Sequence, residues 1–138
     1  MNFGPKKIKY KKHRKGKNFN KVSAVRSLIH YYQNIVSLRA LESARLDAKQ
    51  IDSIKQLIRK IIKKSGRIKY TVFADVPVSK KPNETRMGKG KGNVDFWAAK
   101  VNAGSILYQL EGSNISLLRY ALVCAQQKLS INSDILVI

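Results

Sequence analysis

Residues 47–66 read DAKQIDSIKQLIRKIIKKSG and contain the clearest helical pattern in the chain. Asp47 and Gln50, three residues apart, predict a capping box, in which the aspartate side chain accepts from an early helix amide. Gly66 predicts the C-terminal stop of the helix. The isoleucines recur at helical spacing, at Ile51, Ile54, Ile58, Ile61 and Ile62. The sequence therefore predicts an amphipathic helix whose isoleucine face lies in the core.

The opposite face of this helix is basic. It carries Lys55, Arg59, Lys60, Lys63 and Lys64. A basic stripe is equally consistent with a solvated surface and with a surface that faces RNA. The residues alone leave both interpretations open.

The segments on either side of the helix predict the rest of the fold. Alternating apolar residues predict strands at 36–40, 67–72, 96–101 and 106–110, and residues 134–138 predict a short edge strand. Asn102, Ala103 and Gly104 predict a hairpin connection between the third and fourth strands. A second helix is expected after Asn114, with one apolar face formed by Leu118, Ala121, Leu122, Ala125 and Leu129. Two helices packed on a mostly antiparallel sheet make an α+β domain.

Charge is the strongest compositional signal. The 138 residues include 28 Lys and Arg against 8 Asp and Glu, a formal net charge of +20, while 43% are hydrophobic. A folded body this basic attracts nucleic acid, anionic membrane or acidic protein. Cys124 stands alone, which excludes an internal disulfide and a cysteine-based zinc site. No apolar run approaches ~18 residues, so no membrane span is expected.

Residues 1–21 form a basic arm, and residues 22–138 are expected to form a single domain. Aromatic rings at Phe3, Tyr10 and Phe19 interrupt the cations, and such rings stack on unpaired bases. Gly16 allows the arm to turn. A solubilising charge run is the alternative interpretation. The arm residues predicted to bind RNA are Lys6, Lys7, Lys9, Tyr10, Lys11, Lys12, His13, Arg14, Lys15, Gly16 and Lys17.

A long loop is predicted at residues 75–93, where two prolines occur and no periodicity is visible. Glycines there alternate with lysines, so the backbone amides can approach and donate to phosphate oxygens. Lys91 is followed by Gly92, so the segment is not a nucleotide P-loop. A flexible surface turn is the alternative. The candidate contact residues are Lys80, Lys81, Arg86, Met87, Gly88, Lys89, Gly90, Lys91, Gly92 and Asn93.

The other chemically distinctive residues do not form a site. His13 and His30 have no Cys, Asp or Glu at ligand spacing, so neither a metal site nor any cofactor is expected. Cys124 is expected as a small buried residue of the second helix. Trp97 is either a core residue or a platform under the loop. Without a general base, nucleophile or metal cluster, the chain is not expected to be an enzyme.

Several of these segments resemble the L-sixteen family of ribosomal large-subunit proteins. RMGKGKGN at 86–93, with Lys81-Pro82 before it and Trp97 after it, is similar to the family's signature. The arm PKKIKYKKHRKGK from Pro5, GRIKYTVFADVPVSKKP from Gly66, ARLDAKQID from Ala44 and ALVCAQQKLS from Ala121 also fit. The resemblance covers nearly the whole chain in order.

This resemblance implies a structural protein that binds large-subunit rRNA beside neighbouring ribosomal proteins. Its loop is then expected near tRNA in the aminoacyl and peptidyl sites, where it supports tRNA accommodation, translation and late subunit assembly.

The chain departs from the family pattern at several positions: HYYQNIVS at 30–37 in place of a glycine-rich segment, Lys55 and Leu57 on the first helix, and Ser130 in place of a proline. This drift favours a mitochondrial ribosome over bacterial cytoplasm or a plastid, whereas the excess of lysine over arginine suits an organellar or an AT-rich bacterial genome equally. A free-standing RNA-binding regulator is the main alternative, and a membrane-active cationic peptide is a weaker one.

Overall fold

The computed structural model describes residues 4–14, 16 and 34–137. The elements in chain order are β1 (Ile35–Ala40), β2 (Ala44–Asp47), α1 (Ala48–Ile62), β3 (Gly66–Tyr70), β4 (Val76–Lys80), β5 (Asn93–Val101), β6 (Ile106–Gly112), α2 (Ile115–Gln126) and β7 (Ser133–Val137). The strands form a four-stranded sheet in the order β3-β6-β1-β7 and a three-stranded sheet in the order β2-β5-β4. All the strand pairs are antiparallel. The predicted α+β class is confirmed.

The first helix begins at the capping box that the sequence predicts. The Asp47 carboxylate accepts from the Lys49 amide at 3.1 Å, and the Gln50 side chain accepts from the Asp47 amide at 3.4 Å. Because an N-cap aspartate satisfies an otherwise unpaired amide, it fixes where the helix starts. Ile54, Ile58 and Ile62 are buried, and Ile51 and Ile61 pack against the core at its margin.

The helix ends earlier than Gly66. Its C-cap is Lys63, which takes a positive φ of 52°, and Gly66 is the first residue of β3. Gly66 is opposite Gly112 of β6, and a Cβ on Gly66 would lie 2.7 Å from the Glu111 carbonyl oxygen. The glycine is thus required by close strand packing, and its prediction as a helix stop was wrong.

The core lies between the two helices and the four-stranded sheet, and Leu46 of β2 and Val101 of β5 extend it onto the three-stranded sheet. Val36 and Leu38 of β1, Leu110 of β6, and Leu118 and Leu122 of α2 are fully or almost fully buried within it. Asn114 caps α2 by accepting from the Leu117 amide at 3.1 Å, which confirms the predicted start of that helix. Leu129 lies beyond the end of α2, although it still packs against the core.

Among the described residues, Tyr108 is an ionisable member of the buried core. Tyr108 lies edge-on to Tyr70, with ring centroids 6.0 Å apart, and its hydroxyl donates to the Ile51 carbonyl at 3.3 Å. Burial raises the pKa of Tyr108 above its ordinary value, and electrostatic interaction with Tyr70 and Asp52 raises it further. Tyr108 therefore stays neutral in the fold.

Two predicted features of the strands were wrong. The strand at 96–101 does not form a hairpin with the strand at 106–110, because β5 pairs with β2 and β4 while β6 pairs with β1 and β3. The connection carrying Gly104 crosses between sheets, and the Gly104 amide donates to the Ala40 carbonyl at 2.7 Å. The predicted loop at 75–93 also contains β4, so the irregular segment is residues 81–92.

The remaining strand predictions are confirmed with somewhat different bounds. β1 covers the predicted strand at 36–40, and β7 lies at the edge of its sheet beside β1. β3 ends at Tyr70, two residues before the predicted end of its strand. Neither helix in the described part of the chain combines the length and the apolar character that crossing a bilayer would require.

Candidate nucleic-acid interface

The glycine-lysine segment forms the tip of a long hairpin between β4 and β5. Lys80, the last residue of β4, is opposite Asn93, the first residue of β5. Beside this neck, a Cβ on Gly92 would lie 2.5 Å from the Lys80 carbonyl oxygen and 2.8 Å from its carbon. Because both atoms belong to the backbone, only glycine fits the neck without moving a strand. A turn follows the neck on the β4 side, where the Thr85 amide donates to the Pro82 carbonyl at 3.2 Å.

The backbone at the hairpin tip adopts an unusual conformation over three successive residues. Gly88, Lys89 and Gly90 have φ values of 97°, 52° and 92°. Within the described residues, nothing lies within 4 Å of a Cβ built on Gly88 or Gly90, so the backbone there faces open space. The Lys81 ammonium braces the tip by donating to the Gly88 carbonyl at 2.5 Å. Amides in such turns can donate to an anion that approaches from outside.

The side chains of the tip are cationic and point to solvent. Arg86, Lys89 and Lys91 are exposed, and Met87 is 100% exposed. Across residues 4–14, 16 and 34–137, no cation of the tip forms an ion pair with a carboxylate. The charge of the hairpin tip is therefore available to an external anion.

The arm lies along the three-stranded sheet and reaches the hairpin. A Cβ on Gly4 would fall 2.4 Å from Cε2 of Trp97, so the Gly4 backbone lies directly against the indole ring. Further along, the Lys12 ammonium donates to the Lys91 carbonyl at 2.9 Å, and the Lys91 ammonium donates to the His13 carbonyl. Arm and hairpin thus exchange hydrogen bonds across 78 or 79 positions of sequence. The two predicted RNA-contact segments form one surface.

Most of the predicted site residues are described and exposed. The exposed arm residues are Lys6, Lys7, Lys9, Tyr10, Lys11, Lys12, His13, Arg14 and Gly16. Lys15 and Lys17 lie outside the described residues, as do Phe3, Phe19, His30 and the Tyr31-Tyr32 pair. Of the hairpin residues, Lys81 and Gly92 are half-buried and the others are exposed.

The environments of Trp97 and Cys124 differ from the predicted ones. Trp97 is half-buried and supports the arm at Gly4, so it is not a platform under the loop. Cys124 lies on α2 as predicted, but it is half-buried, not buried. In the portion of the chain that the structure describes, no three His, Cys, Asp or Glu side chains gather as a metal site would require.

The fold brings beside the arm two further cations that were not predicted from the sequence. Arg45 of β2 donates to the Gly16 carbonyl at 3.2 Å, and it is opposite Lys100 of β5 in the sheet register. The Lys100 ammonium lies 3.3 Å from the position of a Cβ on Gly16. Like charges directly opposite each other destabilise a sheet, so this pair suits a surface that an anion covers. In the sequence, this pair was indicated only by the position of Lys100 on the outward face of its predicted strand.

The basic face of α1 is organised by an aromatic residue of the neighbouring strand. Tyr70 accepts from Nε of Arg59 at 3.1 Å, and the Lys55 ammonium lies 4.7 Å from the centroid of its ring. Cation–π contact of this kind holds both cations close to the body of the protein. Lys60, Lys63 and Lys64 are exposed.

Comparison with known proteins places the chain among ribosomal proteins. The family described as Ribosomal protein L16p/L10e matches residues 5–136. A protein of Paracoccus denitrificans named "Large ribosomal subunit protein uL16" is 39% identical over 127 residues, covering 92% of this chain and 90% of its own length. Proteins of the same name from Buchnera aphidicola and Wigglesworthia glossinidia brevipalpis are each 40% identical over 129 residues, covering 94% of this chain and 92% of their own length. The resemblance seen in the arm and in the RMGKGKGN segment is thereby confirmed: the chain belongs to the ribosomal protein L16p/L10e family.

Proposed function

We propose that the protein is a structural constituent of the large ribosomal subunit that binds large-subunit rRNA through its arm and presents the hairpin tip to tRNA. The relatives named above are large-subunit proteins, and they match this chain over most of their length. The family is structural and non-enzymatic, so the expectation that the chain is not an enzyme is confirmed.

The observation that carries the proposal is the junction of arm and hairpin at Lys12, His13 and Lys91. Two ammonium groups there donate to backbone carbonyls instead of carboxylates. Bringing a basic arm against a basic hairpin costs electrostatic free energy, which a neutral carbonyl offsets only in part. RNA phosphates passing along both segments would remove that repulsion. A polyanion therefore fits this surface better than a small anion does.

Recognition of rRNA is assigned to the arm residues and to the cations beside them. Lys6, Lys7, Lys9, Lys11 and Arg14 are exposed along the arm, and Arg45 and Lys100 extend the same surface onto the sheet. Phosphate contacts of this kind position a protein on RNA without reading its sequence. Their number sets how strongly salt weakens binding.

The hairpin tip is assigned to tRNA in the aminoacyl and peptidyl sites. Residues 81–92 project from the neck between Lys80 and Asn93, and the tip offers exposed cations with an open backbone. A tip that is braced from within by Lys81 holds its shape without help from rRNA. In this role the protein supports tRNA accommodation, translation and late subunit assembly.

A mitochondrial ribosome is the proposed location. Support comes from the departures at residues 30–37, Leu57 and Ser130. Large subunits purified from isolated mitochondria should contain this chain by mass spectrometry. Its recovery solely from bacterial or plastid ribosomes would contradict this assignment.

Sedimentation tests the ribosomal role. The native protein should travel with large subunits, and replacing Lys12 and Lys91 together by Gln should reduce that fraction while leaving the fold intact by circular dichroism. Lys128→Gln, an exposed lysine just after α2, is the matched control and should sediment normally. A wild-type protein that sediments as a free species bound to small RNAs would instead support a free-standing regulator.

Directed hydroxyl-radical probing tests the tRNA contact. Met87→Cys in a Cys124→Ala background would carry a tethered Fe(II) chelate at the fully exposed tip. In ribosomes with occupied aminoacyl and peptidyl sites, cleavage of tRNA is expected from position 87. A chelate at Ser116 on α2 serves as the control and should leave tRNA uncut. Equal cleavage from both positions, or none from position 87, would refute the assignment of the tip to tRNA.

A further inference from the structure

The arm, the first half of β5 and the start of α1 line a groove of about 610 Å³. Its apolar walls are Pro5 and Ile8 from the arm and Phe96 and Trp97 from β5. Volumes of this size are typical of sites that hold a small molecule or a single residue of a polymer. We propose that this groove binds one unpaired nucleotide of an RNA strand, with its base against Trp97 and its phosphates on the lysines at the rim.

The walls suit a nucleobase because they offer a flat aromatic surface. The Gly4 backbone lies against the indole, and Trp97 and Phe96 both line the groove. Stacking on an aromatic ring requires a base that has left its helix, since a paired base is already stacked on its neighbours. The groove therefore selects unpaired RNA, whereas the exposed cations of the arm accept any phosphate.

The charges of the groove place the base inside and the phosphates outside. Lys6, Lys11 and Lys49 are exposed side chains that line it. Asp95 also lines it, and its carboxylate would repel a phosphate but accepts hydrogen bonds from base N–H groups. The other carboxylate at the groove, Asp47, already accepts from the Lys49 amide at the start of α1.

This inference rests on the proposed function, because it assumes that the arm lies on RNA. It also goes beyond that function. Phosphate contacts alone would give equal affinity for paired and unpaired RNA of the same length, whereas the groove adds a preference for RNA that contains a free base.

The experiment uses the full chain and its single tryptophan. Trp97 fluorescence is titrated with two RNA hairpins of equal length, one fully paired and one carrying a single unpaired adenosine. The bulged hairpin should quench Trp97 emission and bind about 5- to 150-fold more tightly, the range expected for stacking one base on an aromatic side chain. The paired hairpin should bind more weakly and leave the emission unchanged.

Trp97→Leu should abolish the preference for the bulge, so that the bulged and the paired hairpin bind with equal affinity, measured by anisotropy of labelled RNA. Tyr120→Leu is the matched control, since it removes an exposed aromatic ring of α2 that does not line the groove. Equal binding of both hairpins without quenching would refute nucleotide binding in the groove and leave the proposed function unaffected. Failure of both hairpins to bind would refute both the nucleotide site and the proposed function.

Discussion

Substitution of a glycine in the hairpin tip is expected to impair function with little loss of stability. Gly88 has a φ of 97°, and nothing described lies within 4 Å of a Cβ built there. The Cβ of Gly88→Val therefore meets no neighbouring atom, and the cost of the substitution is the strained positive φ of the backbone, at roughly 1–3 kcal/mol. The tip avoids that cost by relaxing to another backbone conformation. The conformation with a positive φ at residue 88 is then populated about 5- to 150-fold less.

The fold should tolerate this change. Relaxation of the tip breaks the Lys81–Gly88 hydrogen bond and no core contact, so the free energy of unfolding should fall by no more than ~1 kcal/mol. Gly66→Ala is the matched control, since its Cβ would press on the Glu111 carbonyl oxygen at 2.7 Å inside the four-stranded sheet. Overpacking at that position should cost about 1–3 kcal/mol of stability.

The assay compares urea midpoints of the free proteins with peptide synthesis by ribosomes that carry them. Gly88→Val should impair synthesis with a nearly unchanged midpoint, and Gly66→Ala should lower the midpoint. If Gly88→Val unfolds the free protein while its ribosomes work normally, the functional role assigned to the tip is wrong.

Four further results are expected. Asp47→Ala should lower the free energy of unfolding by about 1 kcal/mol in urea titrations, because the Lys49 amide loses its acceptor, and an unchanged midpoint would contradict the capping box. Gly92→Ala should widen the hairpin neck and slow synthesis further than Gly88→Ala does, because its Cβ meets backbone at 2.5 Å; equal rates would argue against a rigid neck. Affinity for large-subunit rRNA should fall with a log–log salt slope of roughly −7 to −9 if about ten phosphates are contacted, and a slope near zero would exclude phosphate-dominated binding. The raised pKa of Tyr108 means that the folded state holds its proton more tightly than the unfolded state does, so stability should be lost as pH rises above about 10; Tyr108→Phe should show a smaller loss, and identical pH profiles would refute this.

The parts of the fold that follow local rules could be predicted from the sequence. The start of α1 depends on Asp47 and Gln50, which are three residues apart, and the start of α2 depends on Asn114. A capping side chain bonds to amides of its own turn, so no distant residue can alter the outcome. The buried isoleucine face of α1 could also be predicted, because buried residues of an amphipathic helix recur with the helical period.

The parts that depend on distant partners could not be predicted. β4 was missed because Pro77 lacks an amide and disrupts the strand pattern, yet β4 is an edge strand, where proline is tolerated. The false hairpin at Gly104 arose because its turn residues suit a hairpin, while the real partners of β5 and β6 lie elsewhere in the chain. Trp97 could be assigned to neither core nor loop, since its contact, Gly4, is far away in sequence.

The placement of β1 has a consequence for how quickly this polycation becomes a folded protein. Both neighbours of β1 come from much later in the chain, and Arg39 pairs with Asp134 across 95 positions at 2.9 Å. Contacts this remote require large loops to close before they stabilise anything, and high contact order is associated with slow folding. The nascent chain should therefore remain open for milliseconds to seconds, a period in which its unshielded lysines can already meet an RNA strand.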